Sequence, residues 1–387
     1  MALSLPAVAL PLFMLAVVVI AFSWMPFLKR KAKGGSDSFH PCISVIIPAR
    51  NEEDNLGRLL RSLEQQNLPP DEVIVIDDHS VDQTAPLARS LGATVIRAPD
   101  LPAGWLGKSW ACWIGAKEAR GEFLIFLDAD VFLEKEAIIS LIQTYEEKKG
   151  LVSVQPYHFT IKRYEKLSAF FNLVLALNMA LPLIFKPLVK TRGAFGPCLV
   201  TGRQDYFAVG GHEAVRSEIL EDVCLARRFL KKKLSVHIFG GKGKMCFRMY
   251  PQGLKQLIEG WTKNFALGAF SSNIISFLVC AVWIAFCLSI PLNIIKAIRA
   301  QQWSGLIFSI LLYLFYASQI HWSLSRLGNF GLTTAVFYPL PLLFFIAIFF
   351  RSFFYTYCLR HVTWKGRKIS LSRKPKAKSL IEDDFWL

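Results

Sequence analysis

Four stretches of this chain carry no charged residue and are almost wholly apolar: residues 5–28, 272–295, 303–320 and 332–350. They hold 24, 24, 18 and 19 residues, against about 20 needed for a helix to cross a bilayer core. Such runs at both ends must be given to lipid or to each other, so transmembrane helices are expected on either side of a central domain. Composition agrees. Of 387 residues, 53% are hydrophobic, and the mean hydropathy of +0.36 is too high for an ordinary soluble domain. The positive charges Lys29, Arg30, Lys31 and Lys33 follow the first run rather than precede it, which makes it an anchor and not a secretory signal. They also place its C-terminal end in the cytoplasm. Three full crossings after residue 272 would then carry the basic tail outside. Pro339 and Pro341 mark 332–350 as the run expected to re-enter instead.

Lys and Arg number 45 against 29 Asp and Glu, a net charge of +16. Acidic partners follow from that balance: phosphates, nucleotides or anionic lipid. The basic clusters flank apolar runs, which favours membrane lipids and argues against nucleic acid. Eight cysteines contain no CxxC pair, so neither a zinc site nor a secreted disulfide scaffold is indicated. A reduced, cytosol-facing protein fits.

The chain therefore divides into an anchor with its basic flank (1–35), a cytosolic domain (36–250), an amphipathic segment (251–271), a membrane region (272–358) and a basic tail (359–387). The central domain reads as α/β. Short β-rich runs at 43–49, 73–77, 93–97 and 123–127 alternate with helical patterns at about 53–66, 81–91, 109–119 and 134–149. Repeated β-α units imply a mostly parallel sheet with helices on both faces. A further uncharged run, 167–185, is interrupted by Asn172, Asn178 and Pro182. It is expected as an interfacial or groove-lining helix, with a core helix the alternative. In 251–271, Leu254, Leu257, Ile258, Trp261 and Phe265 recur at helical spacing, a pattern for a helix lying in the membrane interface or packed on a core.

Ligands of parallel sheets bind beyond the carboxyl ends of the strands, and that is where the acids fall. The first strand runs into Pro48-Ala49-Arg50-Asn51-Glu52-Glu53, the second into Asp77-Asp78-His79-Ser80, and the fourth into Asp128-Ala129-Asp130. Crowded like charge calls for a cation among them. A divalent ion with a diphosphate is the natural resolution, because oxygen donors at i and i+2 suit Mg²⁺ or Mn²⁺. The plain alternative is that these acids cap the helices that follow. Gly104-Trp105-Leu106-Gly107-Lys108-Ser109 resembles the end of a phosphate-binding loop, but Pro102 stands where its first glycine belongs. Lys108 remains a candidate for a diphosphate, or a solvated lysine at a helix start. Glu221-Asp222 opens a helix ending in Arg227, Arg228 and Lys231, an order the helix dipole alone would favour.

The combination is more specific than its parts. SVIIPARNEE (44–53), VIDDHSVDQT (75–84), GKSWACWIGA (107–116), FLDAD (126–130) and ILEDVCLARR (219–228) occur in the order seen in family-2 glycosyltransferases of the GT-A fold, and the chain resembles that family over residues 43–265. LVSVQPYHFT (151–160), AFGPCLVTGRQDYFAVGGH (194–212), FRMYPQGLKQLIEGWTKN (247–264) and WKGR (364–367) are similar to members that glucosylate a C30 carotenoic acid. The resemblance implies a GT-A domain, a UDP-sugar donor, a lipid-soluble acceptor and Mg²⁺ or Mn²⁺. It implies that Pro48, Ala49, Asn51, Glu52 and Asp77 or Asp78 hold the uridine. It further implies that Asp128 touches the ribose or sugar side, that Asp130 with Asp128 binds the metal, and that Asp222 is the base with Glu221 beside it. Two departures stand out. His79 replaces the usual glycine of the turn after the second strand, tolerable because His enters the left-handed region more readily than β-branched residues. The Gln-x-x-Arg-Trp of polymerising members reads Leu257-Ile258-Glu259-Gly260-Trp261 here, which argues against a processive synthase and leaves Trp261 as the acceptor-side candidate. A hydroxyl lipid as acceptor, a nucleotidyltransferase on the same sheet and a non-enzymatic membrane scaffold are the rival readings.

Overall fold

A computed structural model describes residues 5–29, 41–184, 193–271, 273–359, 361–364 and 367–370. The basic residues 30–33 and the tail beyond 370 lie outside the described residues. Internal contacts divide the chain into two compact units. One comprises the described residues of Met1–Met25, Thr160–Lys190 and Met249–Leu387; the other those of Pro26–Phe159 and Thr191–Arg248.

After α1 (Leu5–Trp24), which belongs to the first unit, strands and helices alternate as expected: β1 (Ile43–Ala49), α2 (Glu53–Glu64), β2 (Glu72–Asp77), α3 (Thr84–Ser90), β3 (Thr94–Arg97), α4 (Gly107–Glu118) and β4 (Phe123–Leu127). β1 (ISVIIPA) and β4 (FLIFL) are buried along nearly their whole length, which is why they read as continuous apolar runs. α2 covers the sheet with Leu56, Leu59, Leu60 and Leu63 on one face. Next come β5 (Val131–Leu133), α5 (Ala137–Lys148), β6 (Leu151–Gln155) and β7 (Tyr157–His158). An excursion through α6 (Ala169–Ile184) precedes β8 (Cys198–Gly202), α7 (Arg203–Ala208), α8 (Glu221–Lys231), β9 (Val236–Gly240) and β10 (Met245–Phe247).

The main sheet has seven strands in the order β3-β2-β1-β4-β8-β6-β9. β8 runs antiparallel to both neighbours, and every other pairing is parallel. This single reversal matters for the site. It brings the N-terminal end of β8 to the edge where β1, β2 and β4 end, with Leu127 opposite Cys198 and Ala49 opposite Asp77. A smaller sheet is ordered β5-β10-β7.

The first unit is helical: α9 (Leu254–Ser271), α10 (Ile274–Arg299), α11 (Trp303–Leu327), α12 (Gly331–Val336) and α13 (Pro339–Phe353), with α1 and α6. A hairpin of β11 (His361–Trp364) and β12 (Arg367–Ser370) follows. By length and composition, Ile274–Arg299, Trp303–Leu327 and Pro339–Leu359 could each cross a membrane, and Val8–Trp24 is a shorter apolar helix. The expected break in 332–350 takes a different form. The chain turns at Phe337 and Tyr338, and the two prolines sit in the first turn of α13, where a missing N–H and a fixed φ suit a helix start. They begin α13 instead of interrupting it.

One further expectation is corrected. α6 is a core helix and not an interfacial one: Phe170, Phe171, Leu173, Ala176, Leu177 and Leu181 are fully buried, packed against α1, α10, α11 and α13. In α9, Leu257 is 0% exposed and Trp261 5%, while Leu254 is 45% exposed, and the Ser352 hydroxyl of α13 donates to the Thr262 carbonyl at 2.6 Å. The Phe265 side chain lies outside the described residues. Gly260 is required by this packing. A Cβ there would be driven into the Tyr250 ring, which Trp261 flanks at 5.8 Å while the Tyr164 hydroxyl holds the Tyr250 carbonyl at 2.9 Å. Gly260→Ala should therefore destabilise the helical unit by about 1–3 kcal/mol through overpacking. Thermal unfolding in detergent checks this, and an unchanged midpoint would show that Tyr250 can move aside.

Candidate active site

The turns after β1 and β2 are stitched together by side chains, and this explains why polar residues crowd there. Asn51 (φ 51°) and His79 (φ 56°) both adopt the left-handed conformation, as anticipated for His79. The Asn51 N–H donates to Ser80 Oγ, and the Asn51 side-chain oxygen accepts from the Val81 N–H, each at 3.0 Å. The Glu52 N–H donates to Thr84 Oγ1 at 2.7 Å, and the Glu52 carboxylate accepts from Asn55. Asp77 is 6% exposed and accepts from the Ser80 N–H at 3.0 Å. Asp78, 7% exposed, lies 3.8 Å from Arg50 Nη1, and its N–H bonds the Ala49 carbonyl. Asn51, Glu52 and Asp77 thus each have a structural duty, whatever else they do. Pro48 pairs in register with Ile76 just inside this edge.

One strand over, a denser cluster forms. Lys108, in the first turn of α4, places Nζ 2.7 Å from Asp128 Oδ1 and 3.1 Å from Glu221 Oε1. Asp128 follows β4 and is held by its N–H on the Pro197 carbonyl, in the loop leading into β8. Gly196 closes the group, for a Cβ there would meet Asp222 Oδ2 at 2.9 Å and Lys108 Nζ at 3.2 Å. Only glycine lets these two charged side chains approach the backbone between them. Burial disfavours the Lys108 charge, but Asp128 and Glu221 outweigh it and hold its pKa well above the ordinary lysine value. Asp222 moves the other way. Burial, then the neighbouring Glu221 charge, push its carboxyl up to about 7, with Lys108 opposing. A carboxyl that exchanges its proton near neutrality suits a general base. The same two acids occupy the first turn of α8, so the dipole account also holds.

Ala129 is buried while Asp128 and Asp130 on either side are half-buried, and the Asp130 carbonyl accepts from the Arg248 N–H at 3.2 Å. No three His, Cys, Asp or Glu side chains among the described residues converge as a ready-made metal cage.

Trp261 belongs to the helical unit, where its side chain is 5% exposed. Its ring stacks on Phe171 with centroids 4.4 Å apart, and Nε1 donates to Ser168 Oγ at 3.1 Å. The residue expected on the acceptor side thus has a packing duty, with its one polar atom engaged. The sequence reading missed Gly196 and His212, both of which line the cavity beside Lys108, Asp128 and Glu221. The paired glycines before His212, each with positive φ (84° and 47°), were the available signal.

An α/β sheet reversed at one strand, with paired carboxylates at its edge, defines a class. The chain belongs to glycosyl transferase family 2, whose sequence model matches residues 44–223, and it is an enzyme of that family. Within the family it is 39% identical over 342 residues to 4,4'-diaponeurosporenoate glycosyltransferase of Staphylococcus aureus (strain USA300), covering 87% of this chain and 90% of that protein. The relative from strain MRSA252 is also 39% identical, over 343 residues. Among solved structures, the mannosyltransferase PcManGT of Pyrobaculum calidifontis, in complex with GDP-Man and Mn²⁺, superimposes with a TM-score of 0.52 at 16% identity, covering 91% of this chain and 98% of that one. The GT-A fold expected from the motifs is the fold found. Family membership sets aside the nucleotidyltransferase and scaffold readings.

Proposed function

We propose that the protein is a membrane-bound, inverting glycosyltransferase that moves glucose from UDP-glucose to a carotenoic acid like 4,4'-diaponeurosporenoate, giving a glycosyl ester. The observation that carries this reading is the convergence of Lys108, Asp128, Glu221 and Asp222 at one sheet edge, in a chain so similar to an enzyme named for that acid. The turns holding Pro48, Ala49, Asn51, Glu52, Asp77 and Asp78 would receive the uridine. Asp130, with Asp128, fits a divalent ion only in the company of phosphate. Two such carboxylates suit Mg²⁺ or Mn²⁺, which complete their shell with diphosphate oxygens and water. Such an ion would neutralise charge developing on the leaving diphosphate, and Lys108 would add to that. Glu221 holds Lys108 in place. Asp222 orients the acceptor oxygen for attack on the anomeric carbon and takes its proton if it carries one.

The apolar helices in the same chain suit a lipid-soluble acceptor. The basic residues after α1 favour a cell-membrane enzyme with its catalytic domain in the cytoplasm. A second reading has one observation in its favour. An acid acceptor, with a pKa of about 4 like other carboxyls, is already ionised near neutral pH and needs no base, whereas a hydroxyl lipid would use an Asp222 poised near 7. Purified enzyme supplied with UDP-glucose and either a C30 carotenoic acid or its alcohol analogue separates the two. An alkali-labile ester from the acid is the expected product. Product from the alcohol alone would move the assignment to a glucosyl-lipid synthase, and no UDP release with either would refute both.

A further inference from the structure

Within the helical unit, α12 and α13 begin and end against the same short segment of chain. Three bonds fix the beginning. The Asn329 side-chain oxygen accepts from the Thr160 N–H at 2.6 Å and from its hydroxyl at 2.9 Å, and the Asn329 amide donates to the Thr160 carbonyl at 3.0 Å. Gly331, which opens α12, lies beside Lys166 of the 3₁₀ turn Arg163–Ser168, whose Nζ would be 3.7 Å from a Cβ there. α12 then ends beside the middle of α11: the Tyr313 hydroxyl donates to the Val336 carbonyl, and the Tyr313 and Tyr338 rings stack with centroids 5.0 Å apart.

From there α13 comes back. Near its end the Ser352 hydroxyl reaches the Thr262 carbonyl of α9, and α13 packs on both α9 and the turn Arg163–Ser168. That turn is itself tied to the start of α9, the Tyr164 hydroxyl donating to the Tyr250 carbonyl at 2.9 Å and Lys162 Nζ to the Pro251 carbonyl at 3.1 Å. β11 packs against α9 as well. The 15 residues of α13 make a helix about 22 Å long, and one aimed at the opposite face would carry Ser352 about 20 Å from these partners. α10 and α11, of 26 and 25 residues, are each about 38 Å long and long enough to cross. Trp283 Nε1 donates to Gln319 Oε1 at 3.3 Å between them.

A turn placed in hydrocarbon must satisfy its own backbone, and this one does. The Phe337 N–H donates to the Thr333 carbonyl at 3.0 Å, the Leu340 N–H to the Phe337 carbonyl at 3.1 Å and the Leu342 N–H to the Tyr338 carbonyl at 3.0 Å, while the Val336 carbonyl takes the Tyr313 hydroxyl. Pro339 and Pro341 have no N–H to leave unpaired. Tyr338, Leu342 and Phe345 are buried in the unit, whereas Leu332, Phe337, Leu340, Leu343 and Phe350 are exposed.

We propose that α12 and α13 form a re-entrant hairpin. It enters the membrane from the face that holds Thr160, turns at Phe337 and Tyr338 part-way through, and leaves by the same face. Its exposed apolar side chains lie against the acyl chains of that one leaflet. After residue 272 the chain then crosses twice, by α10 and α11, and the hairpin of β11 and β12 lies on the side where α9 begins. Re-entry comes from two helices folding back, with the prolines starting the second. It holds whichever sugar and acceptor the enzyme uses.

Single cysteines at Lys255, Gln302 and Ser370 test this, in a chain whose exposed Cys358 and half-buried Cys42, Cys224 and Cys246 are changed to serine. A membrane-impermeant maleimide is added to sealed vesicles of one orientation, with detergent-opened vesicles as the control in which all three react. Lys255→Cys and Ser370→Cys should be labelled from the same side and Gln302→Cys from the other. Ser370→Cys reacting together with Gln302→Cys would show a third full crossing, and all three reacting from one side would show that α10 and α11 do not span. Either result overturns the proposal. Should the cysteine replacements unfold the protein, epitope tags on the chain with its native cysteines decide instead, one at the C-terminus and one inserted after Gln301. Antibody should reach one tag and not the other in intact cells, and equal access to both overturns the hairpin.

Discussion

Asp130→Asn should abolish sugar transfer while leaving the protein folded and membrane-inserted. The substitution preserves side-chain size and removes one hard anionic oxygen donor from the pair of carboxylates proposed to hold the ion. A divalent ion held that sparsely cannot be kept by Asp128 alone, whose Oδ1 already faces Lys108 at 2.7 Å. The charge stabilisation at stake is several kcal/mol, on the order of 10³-fold in rate at about 1.4 kcal/mol per tenfold. Two measurements check this: the transfer rate titrated with Mn²⁺ or Mg²⁺, and calorimetric binding of UDP with and without metal. Wild-type rates at limiting metal would refute the metal assignment. Loss of transfer with unaltered metal-dependent UDP binding would move Asp130 to another role.

Asp222→Asn should produce the second largest effect, and its size reports on the acceptor. With a hydroxyl acceptor, losing the base costs on the order of 10²–10⁴-fold in rate. With a carboxylate acceptor the nucleophile is already charged, so the loss is smaller and reflects misorientation. The same substitution has a signature in the ligand-free protein. The Asp222 carboxyl is raised from its ordinary 3.8 to about 7 by burial and Glu221, so the folded state holds a proton that the unfolded chain releases. Stability is therefore lost as pH rises from about 4 to about 7, and the loss levels off above that. Asn never ionises and escapes the penalty. The melting temperature of Asp222→Asn should match wild type in mild acid and exceed it above neutrality. A constant difference at all pH values would mean that Asp222 ionises normally.

Much of this was legible along the chain because it is local. β1, β2, β3 and β4 announced themselves within a residue of their observed ends, since buried parallel strands are short apolar runs closed by turn residues. The Asp128-Ala129-Asp130 turn and the Glu221-Asp222 helix start were equally visible. β6, β8 and β9 were not foreseen, because α6 interrupts the β-α alternation between β6 and β8. No local pattern says that β8 inserts antiparallel beside β4.

Trp261 shows the complementary failure. An exposed interfacial indole and a buried one have the same helical spacing, and only the stacking on Phe171 and the bond to Ser168 tell them apart. By itself, then, the sequence determined the strand-helix order, the apolar helices and which acids end which strands, all set by side-chain periodicity and turn chemistry within short windows. Tertiary structure alone decided that Lys108, Asp128, Glu221 and Asp222 meet around Gly196. Those contacts join residues from separate elements, and their energies depend on burial and distance that no local pattern encodes.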